Sequence, residues 1–364
     1  MTSVATDSPS ASSSSPAESP RVGVLLVNWN GWSDTVECLE SLRQLDYPNF
    51  EIIVCDNDSS DGSLAKIRDW LKEHWTTPHD TKGGAALMLS RAEAEHGAGD
   101  AGGASAILIQ TGGNLGFAGG NNVGLRYLAR RGDVGYVWLL NNDTVVGSGA
   151  LRELVNQALA TSTVGAVGGM LLEYHAPDRI QDTGGANFSP WHGMVTRIEH
   201  GAPATDARTM PDRLDFISGG CMLVPVEVLD RVGLLDERFF MYGEDADWCT
   251  RMRHAGLSLA YAPKAEIWHK GGGSAVRGSA THDYHNAKSS LLLIDKHYRL
   301  RLPLAFCYAL YRCVLPKVAR RQWSRLGTVT RAYRDFFRER RSQHRDEHVA
   351  IATQVTGSWR ANVA

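Results

Sequence analysis

Short apolar runs alternate with amphipathic segments through the first half of the chain, and the apolar runs end in polar residues. Such runs, rich in β-branched and aromatic side chains, are typical of buried strands. The segments between them repeat apolar residues at helical spacing. This alternation predicts an α/β fold with a mostly parallel central sheet flanked by helices. The predicted strands are VGVLLVNWN (22–30), FEIIVCDND (50–58), AILIQT (106–111) and YVWLLNND (136–143).

Length and composition bound the domain organisation. A chain of 364 residues, 43% hydrophobic and 21% charged, has room for one large α/β domain or two ordinary ones. Residues 1–20 are rich in Ser, Pro and Ala, which predicts a disordered tail. Residues 77–105 are Gly/Ala-rich and polar, which predicts an inserted flexible surface loop. We expect the main domain over 21–297 and a helical extension over 298–364.

Cysteine usage and the apolar segments point to a cytoplasmic protein. The six cysteines form no Cys-x-x-Cys pair, which is typical of reduced, buried thiols rather than of disulfides or a metal site. The N-terminus lacks the charged-then-apolar order of a signal peptide. The longest apolar stretch, 302–319, is interrupted by Arg312, so we do not expect a membrane span there.

The polar residues at the strand ends are candidates for ligand binding. In parallel α/β sheets, ligands bind outside the carboxyl ends of the strands. An alternative is that these residues form ordinary turns, since Asn and Asp favour them. The residues in question are Asn28, Asn30, Asp56, Asn57, Asn114, Asn122, Asn142 and Asp143.

A second group of acids lies in the irregular half of the chain. Glu244, Asp245 and Asp247 crowd the start of a predicted helix whose end is basic. Acids at a helix start match the helix dipole, which is the structural explanation for them. Against it, three carboxylates repel one another and a cap needs only one. His269 follows, just before a glycine-rich loop.

Seven motifs together resemble glycosyltransferase family 2, with its GT-A fold, and within it the bacterial rhamnosyltransferase-like branch. The resemblance covers roughly residues 21–297, and it is specific because the motifs agree in order. They are VNWNG, CDNDSSDGS, GNLGFAGGNNVG, LLNNDTVV, SGGCMLV, MYGEDADWCTRMRHAG and WHKGGGS.

The resemblance implies a divalent cation, Mg²⁺ or Mn²⁺, that bridges the diphosphate of a nucleotide-sugar donor. Family members often carry Asp-x-Asp at the fourth strand, whereas this chain has only Asp143 after Asn142. Asp143 is then the expected metal ligand, and His269 matches a position that often supplies a further metal or diphosphate contact. Hard oxygen ligands suit either cation. A purely structural His269 is the alternative.

The resemblance also implies the donor contacts. The acid ending the second strand, Asp56, is expected to accept from a uracil or thymine N–H, with Asn57 beside it. The segment GNLGFAGGNN (113–122) resembles the donor loop, whose glycines permit close approach of a ligand. The donor-binding residues predicted in this way are Asn28, Asn30, Asp56, Asn57, Asn114, Gly116, Gly120, Asn122 and Asn142.

Inverting sugar transfer needs one base to deprotonate the acceptor hydroxyl. By resemblance this base belongs to the pair Glu244–Asp245, and we assign it to Asp245. Gly219, Gly220 and Asp247 are the predicted acceptor contacts. We therefore expect a metal-dependent inverting glycosyltransferase that uses a UDP- or dTDP-sugar, with dTDP-rhamnose as the family-level choice. The acceptor is expected to be a cell-surface glycan or a polyprenyl-linked sugar.

The C-terminal region carries a different signal. Residues 296–345 contain fourteen Lys/Arg and two Asp/Glu, interleaved with aromatic residues. Such a basic amphipathic segment is typical of peripheral contact with an anionic membrane leaflet. A solvated helical tail is the alternative. Nothing upstream offers chemistry for reading bases, so we expect no nucleic-acid partner.

Two other classes of function stay open at this level. The single acid at the metal site also fits a catalytically inactive nucleotide-sugar-binding module. The alternating strands and glycines fit a Rossmann-type NAD oxidoreductase, although no Gly-x-Gly-x-x-Gly follows the first strand.

Overall fold

The computed structural model describes residues 19–75, 86–96, 104–206, 210–271 and 279–361. The predicted disordered tail lies outside the described residues except for Ser19 and Pro20. These two are held by the main domain, because their carbonyl oxygens accept hydrogen bonds from Asn49 and Tyr47.

The first half of the chain forms six strands and five helices. In order they are β1 (Val22–Asn28), α1 (Trp32–Leu42), β2 (Phe50–Asp56), α2 (Ser63–His74), β3 (Ala86–Ser90), α3 (Arg91–His96), β4 (Ala106–Gln110), α4 (Gly116–Arg131), β5 (Tyr136–Asn141), β6 (Thr144–Val146) and α5 (Ala150–Leu159).

The second half contributes seven strands and six helices. They are β7 (Val164–Glu173), β8 (Ala176–Thr183), β9 (Gly185–Ser189), β10 (Met194–Arg197), β11 (Phe216–Ile217), β12 (Cys221–Pro225), α6 (Glu227–Val232), α7 (Glu244–His254), β13 (Ser258–His269), α8 (Ala280–His297), α9 (Leu302–Ala309), α10 (Leu315–Ala319) and α11 (Trp323–Ala361).

One large, mostly parallel sheet organises the molecule, as the sequence predicts. Its strand order is β3-β4-β2-β1-β5-β12-β7-β13-β6, with β8 paired to β7. The pairs from β3 to β5 are parallel, and β12 enters antiparallel between β5 and β7. Successive side chains of β1 face opposite sides: Leu25 packs in one apolar layer, and Val24 and Leu26 pack in the other. Helices cover both faces, so the strands are apolar throughout.

The stretch 77–105 differs from its predicted character as a loop. Its described part contains strand β3 and helix α3, and β3 pairs in parallel with β4 at the edge of the sheet. The strand is short and only half-buried, so its ALMLS segment carries too weak a pattern to stand out between Gly- and Ala-rich flanks. Pairing with β4 supplies the order that local propensity does not.

A close backbone crossing at residues 184–185 takes the chain from β8, in the large sheet, to β9, in the small sheet β10-β9-β11. A Cβ on Gly168 of β7 would lie 2.4 Å from the carbonyl oxygen of Gly184, and a Cβ on Gly185 would lie 2.0 Å from that of Phe216. Only glycine fits such an approach. The end of β8, residues 180–183, is therefore buried in the interior of the molecule.

The C-terminal helices pack on the main domain through charged contacts between α8 and α11. Asp283 accepts two hydrogen bonds from Arg325, at 2.7 and 3.0 Å, and Asp295 binds Arg340 at 3.0 Å. These contacts neutralise part of the basic charge of the extension. The six cysteines are free, and four of them, Cys38, Cys55, Cys221 and Cys249, are buried.

Candidate active site

The carboxyl ends of β1 and β2 meet, because Asn28 pairs with Asp56 in the parallel ladder. Asn28 donates to Asp56 Oδ1 at 2.7 Å, and Ser59 donates to both carboxylate oxygens, from its hydroxyl at 2.7 Å and its N–H at 3.0 Å. A carboxylate offers about four acceptor positions. Asp56 therefore keeps capacity for one further donor, although it is almost fully buried.

Asn57 and the start of α4 form the next part of the site. Asn57 Nδ2 donates to the carbonyl of Gly116 at 2.8 Å, and its Oδ1 has no hydrogen-bond partner among the described residues. Asn114 Oδ1 accepts from the N–H of Gly116 at 3.0 Å. A Cβ on Gly120 would lie 2.8 Å from the Asn57 amide, so this glycine permits the close packing of α4 on β2.

Three other asparagines predicted to bind the donor are used by the protein itself. Asn122 donates to the Leu235 carbonyl and accepts from its N–H, at 2.9 and 3.1 Å, so its amide ties α4 to the segment before α7. Asn30 accepts from the Ser60 N–H at 2.8 Å. Asn142 donates to Thr35 at 2.9 Å. These bonds give Asn122 above all a structural role, which differs from the prediction of a donor contact.

Asp143 and His269 lie side by side at the end of the sheet. Strand β13 runs antiparallel to β6, which puts His269 opposite Thr144, the neighbour of Asp143. His269 Nε2 is 3.2 Å from Asp143 Oδ1 and 3.1 Å from the amide nitrogen of Asn141. Its Nδ1 is 2.6 Å from Gln181 Oε1. Both side chains are largely buried, at 13% and 9% exposure.

This geometry fits a divalent cation. An Nδ1–H that donates to Gln181 leaves the Nε2 of a neutral imidazole as an acceptor, which faces both the Asn141 amide and the Asp143 carboxylate. A cation beside Asp143 would take the place of the Asn141 amide as the partner of Nε2. Among the described residues, no group of three or more His, Cys, Asp or Glu side chains could hold a metal. The protein thus offers a carboxylate and an imidazole, and phosphate oxygens and water would complete the coordination of Mg²⁺ or Mn²⁺.

The acid pair lies at the amino end of α7. The residue before the helix, Gly243, has φ 90° and provides no side-chain cap. Asp245 accepts hydrogen bonds from the N–H groups of Gly219, at 3.2 Å, and Ala246, at 2.8 Å. Glu244 is buried, and its Oε2 has no partner among the described residues. Neither acid therefore acts as the N-cap of this helix.

The two carboxyl groups respond differently to the same burial. Burial raises the pKa of Glu244 well above its usual range, and the charge of Asp245 raises it further. Burial also raises the pKa of Asp245, but its backbone donors oppose that shift by stabilising the ionised form. The backbone donors thus favour the ionised form of Asp245, whereas burial and the neighbouring charge favour the protonated form of Glu244.

The glycine pair joins the metal candidates to the acid pair. Gly219 holds Asp245, and the carbonyl of Gly220 accepts from the Asn141 N–H at 3.1 Å. The Asn141 side chain in turn contacts His269. A continuous path of contacts thus links His269 to Asp245, and the two predicted acceptor glycines lie within it.

Asp247 is engaged elsewhere. Its carboxylate is fully buried and is bound by Arg251 at 2.9 Å, Lys296 at 2.6 Å and His297 at 2.7 Å. Three cationic or hydrogen-bonding groups leave little capacity for an acceptor sugar. Asp247 ties α7 to α8, and this structural role differs from the predicted acceptor contact.

Comparison with known proteins supplies the family. The family described as "Glycosyltransferase like family 2" matches residues 20–283. The chain belongs to glycosyltransferase family 2. It is 29% identical over 215 residues to the N-acetylglucosaminyl-diphospho-decaprenol L-rhamnosyltransferase of Mycobacterium tuberculosis (strain H37Rv), covering 52% of this chain and 67% of that protein.

Two solved structures share the fold of this glycosyltransferase. One is the mannosyltransferase PcManGT of Pyrobaculum calidifontis in complex with GDP-Man and Mn²⁺, with a TM-score of 0.50, 17% identity and 88% coverage of both chains. The other is S. aureus TarS 1–349 in complex with UDP-GlcNAc, with a TM-score of 0.51, 12% identity and coverage of 87% and 80%. The predictions of a GT-A fold, of a rhamnosyltransferase-like member of family 2 and of a hexosyltransferase are confirmed. The NAD oxidoreductase alternative is excluded.

Two residues at the end of β8, Gln181 and Asp182, contact or adjoin the site but are not among the residues predicted from the sequence. Gln181 orients His269, and Asp182 is a buried carboxyl group beside it in the chain. Their only local signal is a Gln-Asp pair in front of two glycines, in a region where the hydrophobic pattern is irregular. Their importance depends on the crossing at Gly184 and on the position of β13, neither of which is a local property.

We predict that Asp182→Asn changes how stability depends on pH. Burial raises the pKa of Asp182 to about 7, with Asp245 and Glu173 adding to the shift and Arg197 and His269 opposing it. The folded wild type keeps this proton between about pH 4 and 7 while the unfolded chain loses it, so the wild type loses stability as pH rises through that window. Asparagine does not titrate in this range, so the variant does not lose stability in this way as the pH rises. Denaturation curves from pH 4 to 8 should therefore show the variant gaining stability relative to the wild type up to about pH 7. If the free energies of unfolding of wild type and variant changed equally with pH, this prediction would be wrong.

Proposed function

We propose that this glycosyltransferase is a metal-dependent, inverting enzyme that transfers a sugar from a UDP- or dTDP-sugar, with dTDP-rhamnose as the first candidate. The observation that carries the proposal is the contact path through Gly219 and Gly220. It puts the carboxylate–imidazole pair Asp143–His269 at one end and Asp245, with its two backbone N–H donors, at the other. A donor diphosphate bound at the first end would direct its sugar towards the second.

The charge on Asp245 supports a base-assisted displacement. Asp245 takes the proton of the acceptor hydroxyl, whose oxygen forms the new bond to the anomeric carbon. The bond from that carbon to the diphosphate oxygen breaks on the opposite face, and the diphosphate leaves with the electron pair. A bound Mg²⁺ or Mn²⁺ would neutralise the charge that develops on the leaving diphosphate. Burial raises the pKa of Glu244 well above its usual range, which disfavours a second negative charge beside Asp245.

The nucleotide preference follows from Asp56. Its remaining acceptor capacity lies beside the orphan Oδ1 of Asn57, at the carboxyl end of β2. A pyrimidine such as uracil or thymine offers one ring N–H between two carbonyl groups, which suits a carboxylate that can only accept. Asn28 holds this carboxylate in place.

The acceptor is proposed from the similar proteins. The M. tuberculosis relative is named for action on an N-acetylglucosaminyl-diphospho-decaprenol. We extend this to a polyprenyl-linked sugar or a nascent cell-surface glycan at the cytoplasmic face of the membrane. A lipid-linked acceptor requires the enzyme to reach the bilayer surface, and the C-terminal extension provides a surface for that contact.

The extension exposes an unusual concentration of apolar side chains, which we call the apolar patch. Leu300 is 98% exposed and Tyr311 66% exposed. The stretch Arg299–Ala319 is 21 residues long with a mean hydropathy of 1.3, enough to cross a membrane by length and composition alone, and only 11% of it is buried. The patch comprises Leu300, Leu304, Leu310, Tyr311, Leu315, Val318 and Trp323.

We propose that the apolar patch lies on an anionic bilayer and does not cross it. Arg312 interrupts the apolar stretch, and Pro316 lies within the helix that continues from α9 through a π-helical turn (Leu310–Val314) into α10. Exposed Arg320 and Arg321 follow directly and suit anionic headgroups. The hairpin of β9 and β10 adjoins the patch, since the Arg301 guanidinium lies 4.1 Å from the ring centroid of Trp191.

Replacing Asp245 by asparagine tests the catalytic assignment. Asp245→Asn keeps an oxygen to accept from the Gly219 N–H but cannot take a proton at neutral pH. Turnover of the donor should fall by about 100-fold or more, while affinity for the nucleotide changes less than about twofold. Asp178→Asn, at a side chain that is 78% exposed, is the matched control. If Asp245→Asn keeps wild-type turnover, the base is another group.

A thermal-shift panel tests the donor and the metal together. UDP, dTDP, GDP and NAD are each added with Mn²⁺, with Mg²⁺ or with a chelator. A pyrimidine diphosphate with metal, at 100 times its Kd, should stabilise the protein by about 2.7 kcal/mol. Asp143→Asn should remove the metal-dependent part. Stabilisation by NAD, or nucleotide binding that a chelator leaves unchanged, would contradict the proposal.

Vesicle co-sedimentation tests the membrane surface. The double variant Leu304→Glu, Leu315→Glu should reduce binding to vesicles that contain phosphatidylglycerol by about tenfold or more, because two side chains lose apolar burial and gain repelled charge. Leu159→Glu in α5, at a leucine that is 60% exposed away from the patch, is the control. Equal binding of all three proteins would exclude the patch, and wild-type protein that resists a carbonate wash would indicate insertion instead.

A further inference from the structure

Asp182 is a carboxyl group buried without a partner. It is 4% exposed, and its Oδ1 forms no hydrogen bond with the described residues. The next residue, Thr183, is 1% exposed and its hydroxyl also lacks a partner. Buried polar groups in native proteins are nearly always hydrogen-bonded, and leaving one unsatisfied costs about 1–3 kcal/mol. Two adjacent exceptions therefore call for an explanation.

The backbone gives these side chains little freedom to move away. Asp182 pairs with Leu171 across β7 and β8, and the glycine crossing follows two residues later. Leu171 in turn lies next to Gly220, since a Cβ on that glycine would be 3.7 Å from Leu171 Cδ1. Leu171 of β7 thus lies between the end of β8 and Gly220, one of the two glycines that connect the halves of the active site.

The chain places Asp182 next to a residue of the proposed diphosphate end. The preceding residue, Gln181, holds the His269 imidazole at 2.6 Å. The charges of both His269 and Asp245 act on the Asp182 carboxyl group, together with those of Arg197 and Glu173. Asp182 is therefore close enough to the proposed diphosphate end and to the proposed base for their charges to affect it.

The structure excludes the usual roles of a buried acid at this position. Asp182 has no Lys, Arg or His within 4.0 Å among the described residues, so it forms no ion pair there. It belongs to a strand, so it caps no helix. It does not join Asp143 and His269 in a group of three possible metal ligands. A neutral polar ligand would supply the hydrogen bond that Asp182 Oδ1 lacks.

We propose that Asp182 hydrogen-bonds a hydroxyl group of a sugar bound between Asp143 and Asp245, and so determines which sugar the enzyme accepts. This inference rests on the proposed function. A site built to bind a hydroxyl discriminates strongly, because a sugar without that group leaves the carboxyl unpaired. The hydroxyl belongs either to the sugar being transferred or to the sugar that receives it, and the experiment below separates these sources.

The experiment compares wild type, Asp182→Ala and Asp182→Asn. Affinity is measured for dTDP and dTDP-L-rhamnose, and for UDP and UDP-GlcNAc, with Mn²⁺ present. Transfer kinetics use a synthetic N-acetylglucosaminyl-diphospho-polyprenol. Asp182→Ala should leave affinity for the nucleoside diphosphates within about twofold. If Asp182 binds the transferred sugar, the Kd of the nucleotide sugar rises about tenfold or more. If it binds the acceptor, that Kd is unchanged and the acceptor KM rises by the same factor.

Asp182→Asn, which keeps one acceptor oxygen, should recover part of the loss, and a merely structural role would not produce this selective rescue. Glu51→Gln is the matched control, because Glu51 is fully buried with an unpartnered Oε1 at the opposite end of β2. It should change neither the nucleotide-sugar Kd nor the acceptor KM.

The outcomes also separate this inference from the proposed function. If wild-type protein binds none of the nucleotide sugars, the proposed function itself fails. If the wild type binds and transfers normally, and folded Asp182→Ala matches it in both Kd and KM, the role of Asp182 alone is overturned. An equal loss of affinity for nucleoside diphosphate and nucleotide sugar would likewise overturn it, since that pattern indicates damage to the diphosphate end.

Discussion

The antiparallel pairing of β13 with β6 is the constraint on which the site depends. It joins His269 to Thr144, and so to residues more than a hundred positions earlier in the chain. The backbone adds a second tie, because the Lys270 N–H donates to the carbonyl of Asp143 at 3.0 Å. Once these ends are joined, Gln181 of β8 can orient the imidazole. Three strands that are distant in sequence thereby bring Asp143, His269 and Gln181 together.

Burial and hydrogen bonding affect the pKa values of the two acids at the start of α7, Glu244 and Asp245, to different extents. Both lose solvation, which favours the neutral form of each, but Asp245 also receives N–H donors from Gly219 and Ala246. The sequence-based argument from the helix dipole is incomplete, because it treats the acids alike and ignores desolvation. The Gly219 N–H, supplied by another part of the chain, therefore stabilises the ionised form of Asp245 in a way that the local sequence does not show.

The polar residues of the predicted site fall into two groups in the structure. Asp143 and His269 lie side by side, and a path of contacts through Asn141, Gly220 and Gly219 links His269 to Asp245. Asn122 instead forms hydrogen bonds with the backbone of Leu235. Asp247 binds Arg251, Lys296 and His297. A polar residue within a motif looks the same in the sequence whether it faces a ligand or another helix. Only its neighbours in space distinguish these cases.

The sequence by itself determined the order of strands and helices, the family and the chemically important acids, because these depend on local periodicity and on motifs of adjacent residues. It did not reveal the strand at 86–90, since that segment is ordered by pairing with β4 rather than by its own pattern. Nor did it reveal Gln181 and Asp182, whose properties arise from a glycine crossing and a distant strand. Only the tertiary structure decided which polar groups are buried, paired or left without a partner, because hydrogen bonding and desolvation depend on groups that the chain brings together from far apart.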